Sequence, residues 1–235
     1  MHDPSIDDEE PFMSPNPPLR ILDGIRLVAF DLDGTLVDSV PDLAAAVDAA
    51  LRSLGLAGVD EASVRDWVGN GSRKLVERAL EALDAQDTDP EAAHEAFLHH
   101  YRLAPCRATR LYPGVREALE GLRARGLTLV LITNKPAAFI APILETLGLS
   151  DFFDLTLGGD SLAAKKPDPA PLLHVASRFG VTPSVCLMVG DSRHDIEAGR
   201  GAGFRTLAVP YGYNHGDPVA ASAPDAMVES LGELV

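Results

Sequence analysis

The chain has 235 residues, 46% of them hydrophobic, and its 20 Lys+Arg against 35 Asp+Glu give a formal net charge of −15. That size allows one domain of ordinary dimensions plus an insertion, and the charge excludes a general nucleic-acid surface, which would be basic; an anionic ligand is repelled unless a bound cation and a few placed basic residues attract it locally. No apolar run approaches the roughly 18 residues of a membrane helix, so no membrane partner is expected, and Cys106 and Cys186 alone give no disulfide framework, which fits a reducing, cytoplasmic compartment.

Residues 1–20 are acidic (Asp7-Asp8-Glu9-Glu10) and proline-rich (Pro11, Pro15, Pro17, Pro18), the reverse of a signal peptide. They predict a disordered tail, with Met13 as an alternative start. Ile25–Phe30 reads as a strand without alternation, as expected for one buried on both faces. Asp31-Leu32-Asp33-Gly34-Thr35-Leu36 follows at once. Residues i and i+2 of an extended chain point the same way, so two carboxylates crowd one side of the strand end. They repel unless a cation or a phosphoryl group sits between them. A calcium loop would need further oxygen ligands and a closing Glu, which Asp38 and Ser39 do not supply. From 41 to 104 the character is helical: Pro41 suits a first turn, Leu43, Val47, Leu51 and Leu54 recur at helical spacing, and Gly55 stops the run. Further helices are predicted at about 61–68, 72–83 and 90–103.

From Tyr112 strands and helices alternate. The pattern predicts a helix from Pro113-Gly114 to Gly126, strand 127–132, helix 137–147, strand 154–158, helix 169–179, strand 185–189, helix 195–200 and strand 205–209. Such alternation predicts an α/β fold with a doubly wound parallel sheet core, formed by 21–40 and 105–235, with a small helical cap inserted at 41–104. Ligands of such sheets bind beyond the carboxyl ends of the strands, where Asp31, Asp33, Thr133 and Asp191 all fall. Cys186 is expected as a core residue and Cys106 near the domain junction. Lys135 is expected at the rim of the site, and Arg193 and His194 exposed on a loop. Asp191 by itself would also serve as a helix N-cap.

Four signatures occur in order: Asp31-x-Asp33-Gly34-Thr35, Thr133-Asn134, Lys166-Pro167 and Gly190-Asp191-x-x-x-Asp195. Together they resemble the haloacid-dehalogenase-like hydrolase superfamily. The resemblance implies Asp31 as nucleophile, Asp33 as general acid and base, and Thr133 with the backbone at Asn134 as donors to phosphoryl oxygens. Gly34 would lie in the phosphate-binding turn, and Lys166 would offset charge on Asp31 and the phosphoryl group. It implies Mg²⁺ held by the Asp31 carboxylate, the Asp33 backbone carbonyl and the Asp191 carboxylate. Asp195 would bind metal through water, or orient Lys166 or a ligand water. The cap would close over the site on hinges at Asp38–Pro41 and Cys106–Leu111.

Asp33 argues for a phosphate ester, because attack on carbon in dehalogenation does not need an acid there. Phe30–Ser39, Trp67-Val68-Gly69-Asn70-Gly71 and Gly158-Gly159-Asp160 widen the resemblance to the phosphoglycolate phosphatase branch. This implies a small-molecule phosphate ester as partner, with 2-phosphoglycolate converted to glycolate and phosphate. A sugar-phosphate phosphatase or mutase, a pyrophosphatase, or a non-catalytic binding protein on the same fold are the alternatives. Lys74, the lone cap lysine, keeps phosphonate cleavage among them. The loop Gly69–Ser72, with Arg73 or Lys74, is expected to contact the glycolate carboxylate at a helix N-terminus. Oligomeric state, monomer or homodimer, is left open by the sequence, as is the choice among Mg, Mn and Co.

Overall fold

The computed structural model describes residues 18–235. Most of the tail expected at 1–20 lies outside the described residues; its last three open a 3₁₀ turn, Pro18–Leu22. Strand β1 (Leu27–Phe30) is followed by β2 (Val37–Asp38) and then by four helices, α1 (Val40–Ser53), α2 (Glu61–Trp67), α3 (Ser72–Ala82) and α4 (Pro90–Leu103). The chain returns through β3 (Arg110–Leu111), α5 (Val115–Ala124), β4 (Thr128–Ile132), α6 (Ile140–Thr146), β5 (Leu155–Leu157) and α7 (Ala170–Arg178). It ends in β6 (Cys186–Gly190), α8 (Arg193–Ala202), β7 (Arg205–Ala208) and β8 (Ala226–Met227).

The main sheet has six strands in the order β5-β4-β1-β6-β7-β8, and every pairing is parallel. After β1 the chain builds outward to β4 and β5, then crosses back to β6 on the other side. The strand order therefore reverses at β1, and a crevice opens beyond its carboxyl end.

The unbroken apolar character of the strands follows from the two-residue side-chain period. Val28, Phe30, Leu129, Leu131, Leu187 and Val189 pack on one face with Leu119 and Leu122 of α5 and Leu144 of α6. Leu27, Ala29, Val130, Ile132, Cys186 and Met188 pack on the other with Leu172 of α7 and Ala198 of α8. Helices cover both faces, so β1 and β6 are buried along their whole length and β4 at every residue but its first. Each large aliphatic side chain buried this way contributes about 1.5–3 kcal/mol.

The inserted helices have their own core. Leu43, Val47 and Leu51 of α1, Leu75 and Ala79 of α3, and Phe97 and Tyr101 of α4 form one cluster, which also reaches Phe139 and Ile143 of the sheet domain. The antiparallel pair β2–β3, with Val37 opposite Leu111 and Asp38 opposite Arg110, ties the two crossings together. The sequence pattern misses this pair and β8, because two residues are too few to carry a period. Helix α8 also starts earlier than predicted, at Arg193, for a reason that lies in the site.

Candidate active site

Asp31 is the first residue past β1, and its two neighbours in the sheet deliver the rest of the site. Thr133 and Asp191 are the first residues past β4 and β6. Lys166 comes from the loop ahead of α7, joined to Pro167 by a cis peptide bond. Its ammonium is buried and lies 2.9 Å from Asp31 Oδ1 and 2.6 Å from Asp195 Oδ1. Burial lowers the pKa of Lys166, but Asp195 and Asp31 more than reverse this, so the amine is held charged.

Asp195 does not point at the solvent. Its Oδ2 accepts the backbone N–H of Ser192 at 3.1 Å and the Ser192 hydroxyl at 2.7 Å. Ser192, not Asp191, is the N-cap of α8, and Asp195 supplies the returning arm of a capping box. This extra turn is why α8 begins at Arg193. A side chain at Gly190 would stand 2.2 Å from Asp195 Cβ, so glycine is required for this close packing.

Asp191 is left free of the cap and turns into the crevice. The Thr35 hydroxyl donates to its Oδ1 at 2.6 Å, and the Tyr213 backbone N–H donates to its Oδ2 at 2.6 Å. Burial raises its pKa well above the ordinary carboxylate value, with Asp195 and Asp31 pushing the same way. Burial also raises Asp31; Lys166 pulls it back, Asp195 and Asp33 add to the rise, and the result is about 7.

Asp31, Asp191 and Asp195 each present an oxygen within 4.8 Å of the others, a set suited to a metal ion. The charges agree: when ionised, Asp31, Asp33, Asp191 and Asp195 meet, among the described residues, only Lys135 and Lys166, which leaves two negative charges for a divalent cation to balance. All-oxygen donors of this kind suit a hard cation. Asp195 is already saturated by Lys166 and Ser192, so Asp31 and Asp191 are the carboxylates with capacity to spare.

Several expectations need correcting. Lys135 is not at the rim. It is buried, and its Nζ lies 2.9 Å from both oxygens of Asp33 and 4.9 Å from the centre of the Tyr101 ring. The apolar stem of the lysine packs inward while an anion in the site holds its head. His194 is buried as well, in the first turn of α8, with Nε2 2.6 Å from Asn70 Nδ2 and 3.3 Å from His215 Nε2. Burial, then His215, lowers its pKa to about 4. Arg193 is exposed, as expected.

Gly34 does not offer its N–H to a phosphate, because that group closes the turn onto Val37 O at 2.9 Å. What the glycine provides is room: at φ +89° a Cβ there would lie 2.2 Å from Asp191 Oδ2. Arg73 and Lys74 lie outside the cavity, exposed and paired with Glu91 at 2.5 Å and Glu77 at 3.0 Å. They sit on the outer face of α3, opposite the Leu75/Ala79 stripe.

The cavity over Asp31 and Asp33 is walled by Thr133, Asn134 and Lys135 from the sheet side. Gly69, Gly71, Ser72, Phe97 and Tyr101 wall it from the inserted helices. Asn134 Nδ2 donates to Gly69 O and to Lys166 O, each at 2.9 Å, joining the insertion to the lysine loop. Ser39, at the first crossing, donates to Asp33 Oδ1 at 2.6 Å. The sequence motifs include Thr35 and Ser39 but assign them no partner, and Tyr213 escapes a reading of the sequence, because these contacts exist only once the fold has formed.

The order of a wholly parallel sheet thus reverses at an aspartate-bearing strand end, with a lysine and an aspartate delivered beside it. The chain belongs to the haloacid dehalogenase-like hydrolases, whose family model matches residues 25–203. Within that class it is similar to phosphoglycolate phosphatase of Pseudomonas putida, 48% identical over 214 residues that cover 89% of this chain and 78% of that protein. It is likewise similar to phosphoglycolate phosphatase of Vibrio vulnificus, 45% identical over 216 residues covering 90% of this chain and 95% of that one. The crystal structure of a predicted phosphoglycolate phosphatase from Haemophilus somnus superposes with a TM-score of 0.86 at 39% identity, covering 90% and 96% of the two chains.

Proposed function

We propose that the protein is a Mg²⁺-dependent phosphomonoester hydrolase that converts 2-phosphoglycolate to glycolate and phosphate. The observation that carries this reading is the grouping of four carboxylates and two buried lysines at one strand end. A binding protein has no need of so costly a charge cluster. The substrate comes from the likeness to phosphoglycolate phosphatases along nine-tenths of the chain.

In the first step an Asp31 oxygen attacks phosphorus, and the bond from phosphorus to the ester oxygen breaks. Asp33 gives its proton to the departing oxygen. In the second step water attacks the aspartyl-phosphate, Asp33 takes the water's proton, and Asp31 is released with inorganic phosphate. Lys166, fixed by Asp195, offsets charge on Asp31 and the phosphoryl oxygens. Thr133 and the Asn134 backbone orient the phosphoryl group. The Asp31 and Asp191 carboxylates and the Asp33 carbonyl would hold Mg²⁺. Bound there, the cation supplies positive charge to the phosphoryl oxygens.

We assign the cap to 41–104, moving on the crossings at 38–41 and 106–111, with the sheet domain on either side. Two free thiols fit action in the cytoplasm. Phosphate release from a panel of 2-phosphoglycolate, sugar phosphates, nucleotides and pyrophosphate, with and without Mg²⁺, tests the reading. We expect kcat/KM for phosphoglycolate to exceed the rest, and to be lost without metal and in Asp31→Asn. Equal turnover of every ester would remove the substrate assignment, and metal-independent turnover would remove the mechanism.

A further inference from the structure

The proposed acid, Asp33, is held in this structure in a way that conflicts with its work. Lys135 grips both of its oxygens and Ser39 a third time. An ester oxygen cannot reach Asp33 until that grip opens, so Lys135 must be drawn elsewhere when substrate is bound. The cavity itself shows where. Among the residues that wall it, Lys135 is the one cation, and the inserted helices contribute mainly apolar side chains such as Leu75, Phe97 and Tyr101. Lys166 is already committed to Asp31 and Asp195.

We propose that Lys135 is a specificity-determining residue. It leaves Asp33 to bind a second anionic group on the substrate, a carboxylate one carbon from the phosphorylated oxygen. The inference deepens the phosphomonoesterase reading above and rests on it for the identity of the ester. The Tyr101 ring keeps an ammonium stabilised beside the cavity while its anionic partner changes. Esters without a second anion leave Lys135 on Asp33 and the acid engaged. One residue thereby selects a doubly anionic substrate and frees the acid to meet it.

The test compares 2-phosphoglycolate with 2-hydroxyethyl phosphate, which replaces the carboxylate by a neutral alcohol of similar size. Lys135→Met keeps the stem and removes the charge; Lys135→Arg keeps the charge. The readout is the ratio of kcat/KM for the two esters, because any general damage from loosening Asp33 falls on both and cancels. We expect Lys135→Met to lower the ratio by roughly 10–100-fold, the worth of one charged hydrogen bond, and Lys135→Arg to restore most of it. Equal losses on both esters, or an unchanged ratio, would overturn the proposal. Calorimetric binding of the same two esters to Asp31→Asn protein, with and without Lys135→Met, separates this from failure of the hydrolysis reading. A lysine-dependent preference in binding supports the contact even where no turnover is found, and equal binding rejects it.

Discussion

Asp31 and Asp191 are buried acids whose folded-state pKa values lie above the ordinary 3.8, Asp31 at about 7. A raised acid favours the folded state when protonated. Its stabilisation is therefore full below the unfolded value and is lost as pH rises through about 7. A divalent cation between the two reverses this logic, since it binds the ionised forms. We expect the gain in Tm from Mg²⁺ over EDTA to be largest above pH 7 and to shrink as pH falls from about 7 towards 5, where protons compete with metal. His194, lowered to about 4 by burial, works in the other direction. Its stabilisation is present above about 6.5 and is lost as pH falls towards 4. That loss occurs with and without Mg²⁺, so the difference between the two melts removes it. A Mg²⁺ shift constant from pH 5 to 8 would show that these carboxylates are not where the cation binds.

Between the elements, the two crossings to the inserted helices are joined by Asp42, in the first turn of α1. Its carboxylate accepts from the Ala108 N–H at 2.9 Å and the Thr109 N–H at 2.7 Å, and from the Thr109 hydroxyl at 2.6 Å. The entry to the insertion is thereby fastened to its exit, beside the β2–β3 pair. Tyr213 fastens the entry to the site: its hydroxyl bonds Asp38, while its backbone N–H holds Asp191. Asp42→Ala leaves the buried Thr109 donors unpaired, and hydrogen bonds to charged groups are worth about 1.5–3 kcal/mol each. We expect a loss of about 2–4 kcal/mol in urea unfolding, and a smaller one for Asp42→Asn. An unaltered midpoint in both variants would show that the crossings do not depend on this clamp.

At the scale of the whole molecule, a net charge of −15 opposes the approach of an anionic ester, although the lysines and a cation attract it at close range. Salt screens the distant charges more than the buried ones. We expect kcat/KM for phosphoglycolate to rise about 2–5-fold between low and physiological ionic strength at saturating Mg²⁺; a fall would mean that the local positive field dominates encounter. The sequence by itself determined the parallel α/β sheet and the helical insertion. It also placed Asp31, Asp33, Thr133 and Asp191 at one end of that sheet. Apolar runs, helical spacing and strand-end motifs are local properties, and local patterns survive in a string of letters. Only the tertiary structure decided that Lys135 is buried on Asp33, that His194 faces Asn70 and that Arg73 turns away to Glu91. It alone also showed Asp195 saturated by Ser192 and Lys166. Each of these is a contact between residues distant in the chain or on a particular helix face, and the partner that pulls a side chain inward or outward exists only once the elements have packed.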